Sequence, residues 1–229
     1  MRIRWAIVAA FLALAGCAAG DLEETPKPMG DFQLGFVVPI TSPNLTKGPV
    51  SREATPEEWK DAMKQAFDAR FSRFEGDAFY HLGVIVEGYV LAQPGIPLVL
   101  SPKSALIFSI TVIEDATQET LTPEPHQITV VESIGAGTLL GSGLVMSREE
   151  QLEELARNAA VATERWLRQQ PWFYEEGTIP EDALEGLPEV ATVDADVPVD
   201  EVLDPTGDVL APEAADAPAD APADPATGG

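Results

Sequence analysis

FYHLGVIVEGYVLA (residues 79–92), SALIFSITVI (residues 104–113) and HQITVVESI (residues 126–134) decide the fold. In the first run Leu82, Val84, Val86 and Val90 share one phase, and Ile85, Tyr89 and Leu91 the other. In the second, Leu106, Phe108, Ile110 and Val112 line one face, opposite Ile107, Ser109, Thr111 and Ile113. The third contributes Ile128, Val130 and Ile134. A side-chain period of two, rich in β-branched residues, predicts strands. No helical pattern separates the three runs, so short connections predict an antiparallel meander.

Working outward, the chain before this block predicts a strand and a helix. Phe32, Leu34, Phe36 and Val38 alternate over residues 31–38, a half-buried strand that should end at Pro39 and give way to a loop through Pro43 and Pro49. Thr55, Pro56 and Glu58 then form a Thr-x-x-Glu capping box with proline at the first helical position. Trp59, Met63, Ala66, Phe67, Phe71 and Phe74 follow at three- and four-residue spacing, one apolar stripe with Gly76 as its stop. After the block, Ser147 and Glu150 make a second capping box. The stripe Leu152, Leu155, Ala156, Ala159, Thr163, Trp166, Leu167 runs to Pro171. The order is β-α-β-β-β-α, predicting an α+β two-layer sandwich with two helices on one face of a mostly antiparallel four-stranded sheet. The strand order is not written in the sequence.

Charge divides the chain further. The protein has 229 residues and a formal net charge of -24. Sixteen acids and no lysine or arginine lie from Glu175 onward. That stretch ends in Ala-Pro-Ala-Asp repeats, and its apolar residues (Leu184, Leu187, Val190, Leu203) are scattered. High charge with low hydrophobicity predicts a disordered acidic tail over residues 176–229, below a globular domain at 30–175. Phosphate backbones are bound through clustered Lys and Arg, so nucleic acid is excluded as a partner.

The chain opens with Arg2 and Arg4, an unbroken apolar run from Trp5 to Ala15, and Leu14-Ala15-Gly16-Cys17. A basic start, an apolar stretch and small residues before a cut form a secretory signal over residues 1–16. The apolar run is too short to remain as a spanning helix. Leu14, Ala15, Gly16 and Cys17 resemble a bacterial lipobox. The resemblance implies signal-peptidase recognition of Leu14, Ala15 and Gly16, and lipidation of Cys17 with diacylglycerol and an N-acyl chain such as palmitate. A membrane anchor through Cys17 follows, with residues 17–29 as linker. Ala18, rather than an acid, after the cysteine favours the periplasm-facing inner leaflet of the outer membrane, with the inner membrane as the alternative. Cys17 is the single cysteine, so the body must be stable without a disulfide.

Catalytic chemistry is sparse. Two histidines, His81 and His126, and no free cysteine after lipidation leave no zinc-ligand spacing, so no metal or other cofactor is expected. Ser142 in Gly141-Ser142-Gly143 lacks the nucleophile-elbow pattern. Ser101-Pro102-Lys103-Ser104 gives only a weak serine–lysine pair, and Glu87 and Glu132 interrupt strands as a candidate carboxylate pair. The glycine-rich run from Gly135 to Gly143 lacks the Walker lysine. Trp166, Trp172, Phe173 and Tyr174 cluster after the second helix, as a partner surface or as a seal on the core. Residues 93–100 form an apolar connection.

In element order the body resembles the small α/β auxiliary lipoproteins of envelope transport and outer-membrane assembly systems. The expectation is a non-enzymatic, lipid-anchored lipoprotein binding a protein partner in the cell envelope. Two other classes stay open: a lipid- or small-ligand-binding protein with a groove between helices and sheet, and a periplasmic hydrolase around Ser142 or Glu87/Glu132.

Overall fold

The computed structural model describes residues 20–49, 51–93, 104–132, 146–193 and 202. After a helical turn at Gly20–Glu23 come β1 (Phe32–Lys47), α1 (Pro56–Phe71), β2 (Ala78–Val90), β3 (Ala105–Glu114), β4 (His126–Val131), α2 (Arg148–Leu167) and β5 (Thr192–Val193). The strands form one open sheet in the order β1-β2-β3-β4-β5. The β1–β2 pair is parallel, because α1 carries the chain back between them. The remaining pairs are antiparallel. The α+β class and the antiparallel meander hold. The expected four strands are corrected to five: β4 has an open edge, and residues 192–193, read from composition as tail, pair with Val130 and Thr129.

Both helices start as their sequences dictate. The Thr55 hydroxyl accepts from the Glu58 N–H at 3.2 Å, and the Glu58 carboxylate accepts from the Thr55 N–H at 2.7 Å. Ser147 and Glu150 repeat the box at 3.1 and 2.7 Å. Each box satisfies two N–H groups that the first turn would leave unpaired. Arg148 donates to Glu58 at 2.6 Å and so ties the two helix starts together. At the other end Arg70 of α1 meets Glu164 of α2. The helices therefore run parallel, on the same face of the sheet. Gly76 is not the stop of α1, which ends at Phe71 with Ser72 as its cap.

Trp59, Met63, Phe67 and Phe71 from α1, and Leu155, Ala156 and Ala159 from α2, bury against Leu82, Val84, Val86, Phe108 and Ile110. Phe67 sits edge-on to Phe108 at 6.4 Å, and Trp59 packs on Tyr89 at 5.2 Å. Such pairs add about 0.5–1.5 kcal/mol each beyond their buried area.

The strand β1 departs from expectation twice. It does not stop at Pro39: it continues through Pro39 and Pro43 to Lys47, with Pro39 opposite Val84. An edge strand tolerates proline, since the missing N–H costs no ladder bond on the open side. Its alternation also breaks. Leu34 pairs with Tyr80 but Val37 pairs with Leu82, so one extra residue bulges at Gly35–Phe36. Phe32 and Val37 are buried, and the phase has flipped between them. Phe36 and Val38, expected on the core side with Phe32, point to the other face.

Candidate interaction surface

The face of the sheet away from the helices has an apolar strip at its β1–β2 side. Phe36, Val38, Ile40 and Phe79 are 52, 47, 46 and 47 % exposed. The Phe36 ring stacks on the His81 imidazole, centroids 3.7 Å apart and 19° from parallel. Gly35 permits this, because a Cβ there would run into the His81 ring. Opposite Val38 stands Gly83, which gives the strip a flat floor, and opposite Ile40 stands Ile85. His81 Nε2 lies 2.8 Å from Asp115 Oδ1, fixing the imidazole under Phe36. Contiguous exposed apolar patches larger than a few hundred Å² mark interaction sites.

The same face changes character toward β3 and β4. Glu87 accepts from Ser109 Oγ at 2.6 Å and from Gln127 Nε2 at 2.6 Å, a satisfied polar crossing of three strands. Beyond it Val90, Ala105, Ile107 and Val131 form a second buried cluster, covered by Val202, which is fully buried. Val202, beyond β5 in the sequence, thus lies on this face.

The sequence-predicted residues fall into separate places. Phe173 is buried in the core, edge-on to Phe32 at 5.2 Å and to Tyr80 at 4.8 Å. Trp172 packs on Phe173 and Trp166, and the Tyr174 hydroxyl donates to the Arg168 carbonyl at 3.1 Å. Trp166 stacks on His126 with centroids 4.3 Å apart, and desolvation of that imidazole holds its pKa below the usual value. This stack borders an open cleft of about 330 Å³ with Thr129, Arg165 and Val193. The cleft is at the β4–β5 margin. Between the helices and the sheet, where the alternative ligand-binding reading puts a groove, aromatic and aliphatic side chains of the described residues pack together.

Glu87 and Glu132 are not brought together. Glu87 belongs to the outer-face network, while Glu132 is in phase with Ile128 and Val130 on the helix side. Glu132 is buried, with neither carboxylate oxygen partnered among the described residues. Burial raises the Glu154 carboxyl pKa on α2, and the Glu132 charge raises it further. Ser104 Oγ accepts from the Ala92 N–H at 3.2 Å, a structural bond. Cys17, Leu14, Ala15, Gly16, Ser101, Lys103, Ser142 and the glycine-rich run lie outside the described residues, as does most of the apolar connection.

One charged cluster escaped the sequence reading. Glu164, 1 % exposed, accepts from Arg70 Nε at 2.6 Å and from Arg168 Nε at 2.8 Å. Arg168 also donates to the carbonyls of Lys27 and Pro28, at 2.7 and 3.2 Å. The cluster therefore fastens the incoming linker to the ends of both helices. Lys27 reaches Asp182 and Glu185 at 3.2 and 2.9 Å, so the outgoing chain is held at the same end. The visible signal was the Glu164/Arg168 pair at helical spacing. Among the described residues no helix is long and apolar enough to cross a membrane, and no group of three or more His, Cys, Asp or Glu is placed to hold a metal ion.

No family model matches the sequence, and no curated protein matches it. Solved structures similar to this chain include a DUF330-family protein from Xanthomonas campestris, at 17 % identity over 61 % of this chain and 89 % of that one, TM-score 0.33. A candidate lipoprotein from Caulobacter crescentus CB15 is 11 % identical over 57 % of this chain and 86 % of its own, TM-score 0.31. The PelC dodecamer from Paraburkholderia phytofirmans is 11 % identical over 58 % and 92 %, TM-score 0.28.

Proposed function

We propose that this chain is a non-enzymatic, lipid-anchored envelope protein that docks an apolar segment of a protein partner on the outer face of its sheet. The observation that carries the reading is the strip of Phe36, Val38, Ile40 and Phe79, half exposed on the face of the sheet away from α1 and α2. The lipobox-like Leu14-Ala15-Gly16-Cys17 supports the anchor, in the outer membrane facing the periplasm. Arg168 and Lys27 hold the linker against the body, so an anchor at Cys17 limits the orientations in which the strip meets a co-anchored partner, and raises its effective concentration. Acidity of the whole chain discourages anionic partners and favours a neutral or basic one, with the apolar strip as the contact surface.

The test has two parts. Cys17→Ser should move the protein from the membrane fraction to the soluble one; unchanged membrane retention contradicts the anchor. In detergent extracts the wild-type chain should run in a complex larger than itself, and Phe36→Asp should dissolve that complex. A complex indifferent to Phe36→Asp, or none, contradicts the docking face.

A further inference from the structure

The cleft of about 330 Å³ lies at the margin of the sheet opposite the docking strip. Trp166 stands at His126, where β4 starts, and Glu154 feels the charge of Glu132, just past its end. The helix α2 therefore runs antiparallel to β4. Ala162, Arg165 and Trp166 are three and four residues apart, so they share the side of α2 that borders the cleft. Pairing of β5 with β4 brings Thr192 and Val193 to the same place.

The charge of this lining sets it apart. The chain carries 38 aspartates and glutamates, yet among the described residues none lines the cleft. Lys27, Arg70, Arg148, Arg157 and Arg168 each meet a carboxylate. Arg165 donates instead from Nη1 to the Pro188 carbonyl at 3.2 Å, and has no acidic partner among the described residues. A guanidinium offers five N–H donors, so most of those at Arg165 are left for an acceptor that enters the cleft. Desolvation lowers the His126 pKa, and the neutral imidazole leaves Arg165 as the one positive charge among the described lining residues.

Size and wall chemistry narrow the ligand. The volume equals about eleven waters at roughly 30 Å³ each, room for a ligand of about ten heavy atoms. Trp166, Ile128, Val190 and Val193 give it apolar surface. A single cation suits a monoanion better than a phosphate group, which brings up to two negative charges into an acidic protein. Acids elsewhere on the chain are screened beyond about 8 Å at physiological ionic strength, so the local charge decides.

We infer that this cleft binds a carboxylate borne on a small apolar body, with Arg165 holding the carboxylate and Trp166 and Val193 flanking the body. A free organic acid and the last residue of a peptide carry the same chemistry. The site is separate from the docking strip and needs no partner there.

Calorimetric titration of the purified full-length chain with Cys17→Ser tests it. The probes are benzoate, its neutral isostere benzamide, inorganic phosphate, and the peptide acetyl-Ala-Ala-Phe with a free C-terminus. Benzoate or the peptide should bind about tenfold more tightly than benzamide, since only a carboxylate makes charge-assisted bonds to Arg165. Benzoate binding assigns the site to a free acid, and binding of the peptide alone assigns it to a chain terminus. Arg165→Gln should weaken the bound acid by about tenfold. Arg165→Lys, which keeps the charge without the planar fork, should fall between. Gln169→Glu, at an exposed lining position, places a competing carboxylate four residues from Arg165 and should weaken binding without unfolding the chain. Equal binding of benzoate and benzamide overturns the inference, as does phosphate binding as tightly as either acid. Silence of both acids up to millimolar concentration overturns it too, and so does binding indifferent to Arg165→Gln and Gln169→Glu.

Discussion

Phe36 lies flat on His81 with ring centroids 3.7 Å apart, on the sheet face away from α1 and α2. A one-residue bulge puts it there, and Gly35 makes room for it. Gly35→Ala would push a Cβ into the imidazole, at an expected cost of about 1–3 kcal/mol for overpacking. Gly83→Ala is the comparison, since a Cβ there meets Thr111 at an ordinary 3.6 Å. Urea unfolding of both variants should show the larger loss at Gly35; equal losses would contradict the packing described.

The buried Arg70–Glu164–Arg168 cluster gives a second, larger effect. Glu164→Gln removes the buried charge that Arg70 and Arg168 share, and breaking such a buried pair costs about 3–5 kcal/mol. Thermal unfolding should fall by roughly 10 °C for a body of this size. Release of the linker held by Arg168 should also make residues 24–28 more sensitive to protease. Near-wild-type stability would mean the cluster is solvated.

Truncation separates what packs from what trails. Ala183 is buried, Asp182 and Glu185 bind Lys27, and Thr192–Val193 extends the sheet. Deleting residues 181–229 should lower the melting temperature by several degrees, whereas deleting residues 203–229 should move it by about 2 °C or less. Matching losses would place structural weight beyond Val202.

Acid should weaken the fold through Glu58 and strengthen it through Glu154. Hydrogen bonds from Arg148 and the Thr55 N–H hold the Glu58 carboxyl at about 2, below its ordinary 4.5. Its contribution is present above pH 4.5 and fades as pH falls toward 2. With a side chain 39 % exposed, solvent screening keeps it under about 1 kcal/mol. Glu154 is shifted the other way by burial and by Glu132, so its ionisation opposes folding and stability is gained as pH drops through its raised value. Urea titrations at several pH values should show Arg148→Leu flattening the acid loss, and Glu154→Gln more stable than wild type near neutrality. The opposite sign at Glu154 would contradict its burial beside Glu132.

The helices and inner strands were legible because their signals are local. Thr55/Glu58 and Ser147/Glu150 fix helix starts within four residues, and β2, β3 and β4 show their period directly. The interaction strip was not legible. Phe32, Leu34, Phe36 and Val38 read as one unbroken alternation, and Val37 fits either phase, so only the pairing with β2 reveals the bulge. Pro39 and Pro43 looked like terminators because the sequence does not say that β1 is an edge. The fifth strand is two residues long and exists because β4 offers it an open edge. Trp166 to Tyr174 were visible as a cluster, but only the fold shows Phe173 turned inward.

A photo-crosslinking residue at position 36 of the membrane-anchored protein tests the docking face most directly. Placed there in growing cells, it should yield one discrete adduct, lost when Phe79→Asp is added and absent when the same residue is placed at position 61 on the exposed side of α1. No adduct at position 36, or the same adduct from position 61, would contradict the claim that the outer face of the sheet receives a partner.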